Sequence, residues 1–577
     1  MVTVREPAEP LCVLWEYLEK ESRTSTSSPE EAPNHRQRGR WNGSLKPTAI
    51  LLLVARETDI DSVDRIESIA RAGSEEDMKH FGSYFQGLRG ILLVAVAIRL
   101  ALAPFSAHPF DMYFWFVMVD SIVKNGPLAV TYYPPLLHYT FVPIAFTYDW
   151  LLLHFPIQSI RAWNTLPVGL NPYPNETWIL GVTEPAFNAL IKIPFIIGDL
   201  IAGVSIYKIA QLLDSDTKHA RKAALAWLLN PFVIWISSVW GMYDSLAVAF
   251  ALLSLWAMFV KKPRLSAFLM AIGALFKLFP VLIFAAAIIW MSRQRHGLCW
   301  IAKNCAVFAS TFIAVTLVSN LYFVGEKIGT SPSFMHFLGY LLSRKPPIGP
   351  NAYGLTFFSI SLLTNVQTPQ LQLVSTAIFF AACSLLMTRF WQSRQKDRTS
   401  LLALQALSVV VILLSSRIVS EQYLTWVLPY FAIQYGISGR KTIVYLSTLG
   451  ILYTLMNLQL PLFFLPALDF LPRSLYPLFV TWRTVAAAGG AATGQIRLGW
   501  ILAAIIGTLV SSFLAIPLIS YVKNPQHLDT FGDIRMASHR PQCHALKFDT
   551  SKESRASHID DPGSHPNPSM ELSTCSS

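Results

Sequence analysis

Long apolar runs alternate with short polar turns over most of this chain. They occupy about residues 90–106, 134–156, 187–212, 223–239, 241–260, 265–276, 278–291, 300–323, 371–391, 400–415, 423–436, 441–459 and 498–522. A helix that crosses a bilayer needs about 20 predominantly apolar residues. The pattern therefore predicts an all-α, polytopic transmembrane helix bundle of about 11–13 membrane segments. Several runs are short, and such segments tilt, thin the bilayer or enter it without crossing. Between the first two runs, Asp111–Val123 is aromatic and carries few charges, which predicts an interfacial helix in the first outer loop. The pair Pro134-Pro135 then suits the first turn of the next helix, where a missing N–H costs little.

Polar sequence flanks the bundle on both sides. Residues 1–85 read as a polar, partly disordered extension, 86–522 as the membrane domain and 523–577 as a polar tail. Within the extension, Ile60, Val63, Ile66, Ile69 and Ala70 recur at helical spacing and predict a short amphipathic helix. The apolar stretch 49–55 is too short to span, and nothing at the start resembles a cleavable signal. Translation is expected to start near Met78, a few residues before the first apolar run.

Composition narrows the class. Of 577 residues, 53% are hydrophobic and 14% charged, with a mean hydropathy of +0.42. Soluble domains carry roughly a quarter charged residues, and disordered scaffolds need low hydrophobicity. Neither fits. The six cysteines are scattered without metal-knuckle spacing. The net charge of +11 resolves into turns rather than a nucleic-acid surface. Lys218–Lys222, Lys261–Arg264, Arg293–Arg295, Arg394–Arg398 and Arg440-Lys441 are expected on the cytoplasmic side. That assignment puts 106–134, 240–244, 324–370, 416–422 and 460–497 on the opposite side. It leaves one conflict: a full crossing by 134–156 would bring Lys218–Lys222 to the wrong face.

Ionisable groups in so apolar a background are costly and call for a reason. Asp111 follows the first helix. Lys192 and Asp199 stand two helical turns apart on one face. Asp244 separates two apolar runs, Lys277 interrupts another beside Pro280, and Arg417 and Glu421 stand four apart at the outer end of a helix. Each has an ordinary reading: a snorkelling end, a solvated boundary carboxylate, a surface ion pair. Together, Asp111, Asp244, Lys277, Arg417 and Glu421 fall at one membrane face, where carboxylates and cations suit an anionic lipid headgroup.

The residues around these charges resemble a family. Tyr132-Tyr133-Pro134-Pro135-Leu136 opens the second run after an acidic outer loop, and Lys192-Ile-Pro194 precedes Asp199. Trp240-Gly-Met-Tyr243-Asp244-Ser245 is followed by Phe276-Lys277-Leu-Phe-Pro280, and later by Arg417-Ile-Val-Ser-Glu421-Gln422-Tyr423. In order and spacing this resembles the GT-C fold of integral-membrane glycosyltransferases that use polyprenyl-phosphate sugars, including mannosyltransferases of GPI-anchor assembly and their prokaryotic relatives. The resemblance covers about 90–430. Met242 stands where the related motif carries glutamine, and the first loop has one aspartate rather than Asp-x-Asp. A divalent metal ion is therefore an open cofactor.

The resemblance implies transfer of a hexose, mannose or glucose, from a polyprenyl- or dolichyl-phosphate donor to a lipid-linked or other acceptor, with inversion. It implies Asp111 and Asp244 as the catalytic carboxylates, Asp111 first as general base. Lys277, Arg417, Glu421, Gln422, Tyr133, Tyr243 and Lys192 would contact substrate. Partners would be the donor, a glycan acceptor and membrane lipid. The site would face the endoplasmic reticulum lumen in a eukaryote or the exterior in a prokaryote. A transporter or flippase is the competing reading, since it also needs intramembrane charges and broken helices. No inverted repeat is visible in the sequence to favour it.

Overall fold

The computed structural model describes residues 76–125, 135–154, 184–294, 297–321, 354–363, 368–393, 397–456, 463–464, 466–467 and 493–523. Expectations for residues 1–75 and 524–577 lie outside the described residues. The chain divides into two compact units, 1–82 and 83–577, and the second contains the helix bundle. The described residues of that unit are helical apart from turns and one isolated bridge, between Gly354 and Val419.

In chain order the helices are α1 Glu76–Leu102, α2 Pro109–Asn125, α3 Pro135–His154, α4 Pro185–Leu213, α5 Thr217–Leu228 and α6 Pro231–Ile234. Then come α7 Asp244–Phe259, α8 Pro263–Phe276, α9 Phe279–Arg293, α10 Leu298–Leu321, α11 Thr368–Gln392 and α12 Arg398–Ser415. The last are α13 Leu428–Ser438, α14 Thr442–Met456 and α15 Thr493–Lys523. Among the described residues seven helices are long and apolar enough to cross a membrane, or eight if α5 and the segment Pro231–Trp240, bent by 42°, form one broken span. Four shorter apolar helices, α7, α8, α9 and α14, fill the bundle. The protein is a multi-pass integral membrane bundle.

Side-chain hydrogen bonds show which helix ends lie together. Arg398, opening α12, donates to the carbonyls of Leu212 and Phe259, at the ends of α4 and α7, each at 3.1 Å. Arg293, ending α9, donates to Phe390 at 2.6 Å and to Ser393, at the end of α11. Basic residues thus collect at one end of the bundle, as the positive-inside pattern predicts. At the other end, Ala107 N–H donates to Phe463 O at 2.7 Å and His108 N–H to Trp240 O at 3.2 Å. The chain after α1, the start of α7 and the 463 region therefore meet there.

The conflict over residues 134–156 is resolved by packing. Lys192 of α4 reaches the end of α1, so the part of α4 before Lys192 projects past it. α3 packs on that part and just beyond it: the Tyr148 ring lies 5.3 Å from Phe187, before Lys192, and the Phe141 ring 6.1 Å from Phe195, after it. The Tyr148 hydroxyl also donates to Glu184, just before α4. α3 therefore runs antiparallel to the first third of α4 and does not carry the chain to the basic end. Composition makes α3 look like a crossing; its partners hold it near the other face.

α7, α8 and α9 contain 16, 14 and 15 residues. At 1.5 Å per residue each is about 21–24 Å long, short of the roughly 30 Å hydrocarbon core. With their basic ends at one interface, their other ends stop below the opposite surface. Asp244 and Lys277 stand at those ends, and the space this leaves beyond them is the candidate recess.

A buried ion pair ties the core together behind that recess. Arg99 Nε lies 3.1 Å from Asp199 Oδ2, with the two side chains 0% and 1% exposed. Arg99 also donates to Leu228 O at 2.7 Å, and Ser237 Oγ donates to Asp199 at 2.5 Å. The carboxylate sits between two donors and the guanidinium binds a helix-end carbonyl. Those bonds offset the cost of burying the pair, although Arg99 Nη2 makes none.

Candidate functional site

Local sequence sets the frame of the site. After α6 the chain continues as a π-helical turn, Trp235–Trp240, and leaves it at Gly241 with φ +88°. The positive φ at Gly241 calls for glycine, and a Cβ there would also press on the side-chain ends of Met112 and Lys192, at 2.6 Å and 3.1 Å. The reversal starts α7 at Asp244, where a carboxylate is favoured by the helix N-terminus. Lys277 takes extended angles, φ −153° and ψ 145°, between α8 and α9, and Pro280 sits in the first turn of α9. The predicted break is real, and it turns the ammonium toward Asp244.

Lys277 Nζ lies 2.6 Å from Asp244 Oδ1, and Trp426 Nε1 donates to the same oxygen at 2.6 Å. The ammonium also faces the rings of Tyr243 and Tyr423, each 4.7 Å away, and Trp426 at 5.4 Å. Cation–π attraction strengthens when the cation is desolvated, and the Lys277 side chain is only 12% exposed. Trp426 is held in turn between Phe279 at 4.5 Å and Tyr423 at 4.3 Å. Asp244 is wholly buried, and its Oδ2 has no hydrogen-bond partner. A buried carboxylate oxygen without a donor is costly.

Asp111 lies in the first turn of α2. Trp240 Nε1 donates to its Oδ2 at 2.7 Å, and His108 Nδ1 lies 2.9 Å from the same oxygen. His108 stacks on Trp240 at 4.7 Å, so one indole both aligns the imidazole and binds the carboxylate. Burial pushes the Asp111 carboxyl up, but the charge and hydrogen bond of His108, the Trp240 N–H and the charge of Lys277 outweigh it. Asp111 is held below the ordinary carboxylate value. Asp111, Asp244 and Lys277 thus form one electrostatic group, joined through the chain segment Trp240–Asp244.

Other predicted residues lie differently. Lys192 is fully buried, and its Nζ donates to Ala103 O at 3.0 Å, Val239 O at 3.2 Å and Ser106 O. It gathers carbonyls from the chain after α1 and from the π-helical turn that leads into the site. It makes no pair with Asp199, which binds Arg99 instead. Arg417 and Glu421 do not share a helical face: α12 ends at Ser415, Val419 bridges to Gly354, and a 3₁₀ turn begins at Glu421. Arg417 Nη1 donates to Gln372 Oε1 at 3.2 Å. Glu421 and Gln422 are buried in the 3₁₀ turn Glu421–Trp426, which carries Tyr423 and Trp426 to Lys277. Tyr133 lies outside the described residues.

Sequence reading passes over His108, Trp240, Tyr423 and Trp426 as site residues. Trp240, Tyr423 and Trp426 stand inside the motifs that carry the resemblance, the last of which runs from Ser416 to Trp426, and that is the signal available for them. Among the described residues no group of three His, Cys, Asp or Glu side chains is placed to hold a metal ion.

Comparison with known proteins finds likenesses to glycosyltransferases. The model of glycosyltransferase family 87 matches residues 186–416, less than half the chain, from α4 to the end of α12. GPI mannosyltransferase 1 of Aspergillus fumigatus is 30% identical over 142 residues, which is 22% of this chain and 33% of that protein. GPI mannosyltransferase 1 of Aspergillus oryzae is 30% identical over 140 residues, 22% of this chain and 34% of its own. The Gibberella zeae protein of that name is 31% identical over 139 residues, 22% and 32% respectively. The chain spans about a third of the length of the curated relatives it matches. Each likeness is to a glycosyltransferase, as the motifs are.

Proposed function

We propose that this protein is a membrane mannosyltransferase: it moves mannose from a polyprenyl-phosphate donor to a GPI-type inositol glycolipid at the face opposite the basic clusters. The observation that carries the proposal is that Asp111, held by Trp240, and the Asp244–Lys277 pair stand at the two ends of one short segment, Trp240–Asp244, at that end of the bundle. The names of the fungal relatives supply the sugar and the acceptor class.

The chemistry follows from the placement. The acceptor hydroxyl oxygen attacks the anomeric carbon while the bond from that carbon to the phosphate oxygen breaks. The hydroxyl proton passes to Asp111, and the electron pair leaves with the phosphate. One displacement inverts the anomeric centre. Asp111 is the base because it is ionised, is oriented by Trp240, and keeps 16% of its side chain open. The phosphate is a good leaving group and needs charge stabilisation rather than a strong acid. Lys277 supplies positive charge at the recess, and Arg417 is a second donor-binding cation. Asp244 fixes Lys277 through one oxygen and so sets where that positive charge stands.

The test is direct. Purified protein in liposomes receives labelled polyprenyl-phosphate mannose and inositol glycolipid. Label in the glycolipid supports the proposal. Movement of intact donor across the bilayer without transfer would replace it with the flippase reading.

A further inference from the structure

A second site lies at the opposite, basic end. Between α5, the bend before α6, and α14 lies an open cavity of about 690 Å³. Its mouth carries Lys218, Arg221 and Lys222, all exposed on α5. Among the described residues none of the three forms an ion pair within 4 Å, and Lys222 faces the Tyr435 ring at 4.5 Å. Gly439 lies beside Lys222, and Arg440 and Lys441 follow it, which adds positive charge at the same level.

The cavity wall changes character with depth. Leu225, Val444 and Leu452 line it and are 42%, 45% and 44% exposed, large apolar side chains on an outer face of the bundle. Its inner polar groups satisfy one another: Asn230 Nδ2 donates to Ser447 Oγ at 2.8 Å, and Asn230 Oδ1 caps α6. So the cavity asks for negative charge at its mouth and for hydrocarbon along its length. The catalytic recess uses none of these residues.

We infer that this cavity binds one phospholipid of the cytoplasmic leaflet with an anionic headgroup, its phosphate on Lys218, Arg221 and Lys222 and its acyl chain along Leu225, Val444 and Leu452. Charge complementarity selects the headgroup, and the apolar wall selects a lipid over a soluble phosphate. A basic residue near an anionic membrane surface contributes about a five-fold preference, so three give on the order of a hundred-fold. Neutral phosphatidylcholine offers the same chains without net charge and is expected to exchange freely.

The experiment is native mass spectrometry of the full-length protein, released from nanodiscs of phosphatidylcholine containing phosphatidylserine. One phosphatidylserine is expected to stay bound at collision energies that strip phosphatidylcholine. The K218Q/R221Q/K222Q variant is expected to lose that retention. T448W, which keeps every charge and fills the cavity from an exposed position, is expected to lose it as well. Thermal unfolding without added lipid confirms that both variants fold. Equal retention of phosphatidylcholine overturns the inference. Loss in the charge variant with retention in T448W shows surface attraction only and also overturns it. Displacement by inorganic phosphate or glycerophosphoserine at comparable concentration overturns the lipid as occupant.

Discussion

Lys277 and Asp244 meet at 2.6 Å inside a box of Tyr243, Tyr423 and Trp426 rings, with one Asp244 oxygen left unpaired. The pair is a recess floor built from two broken elements, the start of α7 and the gap between α8 and α9. Removing one member strands a charge in apolar surroundings, which costs about 3–5 kcal/mol. K277M should therefore lower the unfolding temperature sharply, and D244L/K277M should recover much of the loss. Both should be inactive in transfer. Thermal unfolding in detergent checks this; additive losses in the double variant would contradict it.

Arg99 and Asp199 behave as a structural pair. R99M should destabilise by about 3 kcal/mol or more, because it leaves the Asp199 carboxylate with only Ser237. Donor KM of the folded fraction should stay within about two-fold of the parent, since the pair lies behind the recess. A selective rise in KM without loss of stability would show instead that Arg99 touches donor.

Trp240→Phe isolates the indole N–H that binds Asp111. Hydrogen bonds to charged groups contribute about 1.5–3 kcal/mol, so kcat should fall between about ten-fold and a hundred-fold. Acceptor KM should change less. An unchanged kcat would remove Trp240 from the positioning of Asp111.

The pH dependence follows from the direction of the Asp111 shift. Its carboxyl is held below 3.8 in the folded protein, so it stays charged as pH falls through the range where ordinary carboxylates begin to protonate. The Asp111 contribution to stability is present above its unfolded value and is lost only as pH drops through the depressed folded one. Between about pH 7 and 5 the rate should not fall through loss of the Asp111 charge. A pH–rate profile of W240F, which removes one donor, should shift its acid limb upward. An acid limb that stays in place would contradict the assignment.

Much of the fold is legible along the chain. The apolar runs match the helices, the break at Lys277 is marked by a charge beside a proline, and the basic clusters mark one end. What periodicity cannot give is which faces meet. Arg99 and Asp199 are partners 100 positions apart, and Trp426 reaches Asp244 across 182. Lys192 and Asp199 share a helical face, as spacing predicts, yet each turns to a different neighbour. Residues 135–154 have the length and hydropathy of a crossing, and only their contacts with Phe187 and Phe195 reveal their place. Arg417 and Glu421 mislead for a local reason: the helix ends just before them, so four-residue spacing has no helical meaning.

The most direct measurement is the transfer rate of Asp111→Asn beside the parent protein, in liposomes with labelled polyprenyl-phosphate mannose and inositol glycolipid. Asparagine keeps the size and can still accept from Trp240, but it cannot take the acceptor proton. Unfolding temperature should be nearly unchanged, donor binding retained, and kcat reduced by at least about a hundred-fold. Near-parental kcat in the folded variant would contradict Asp111 as the base, and with it the mechanism placed on this recess.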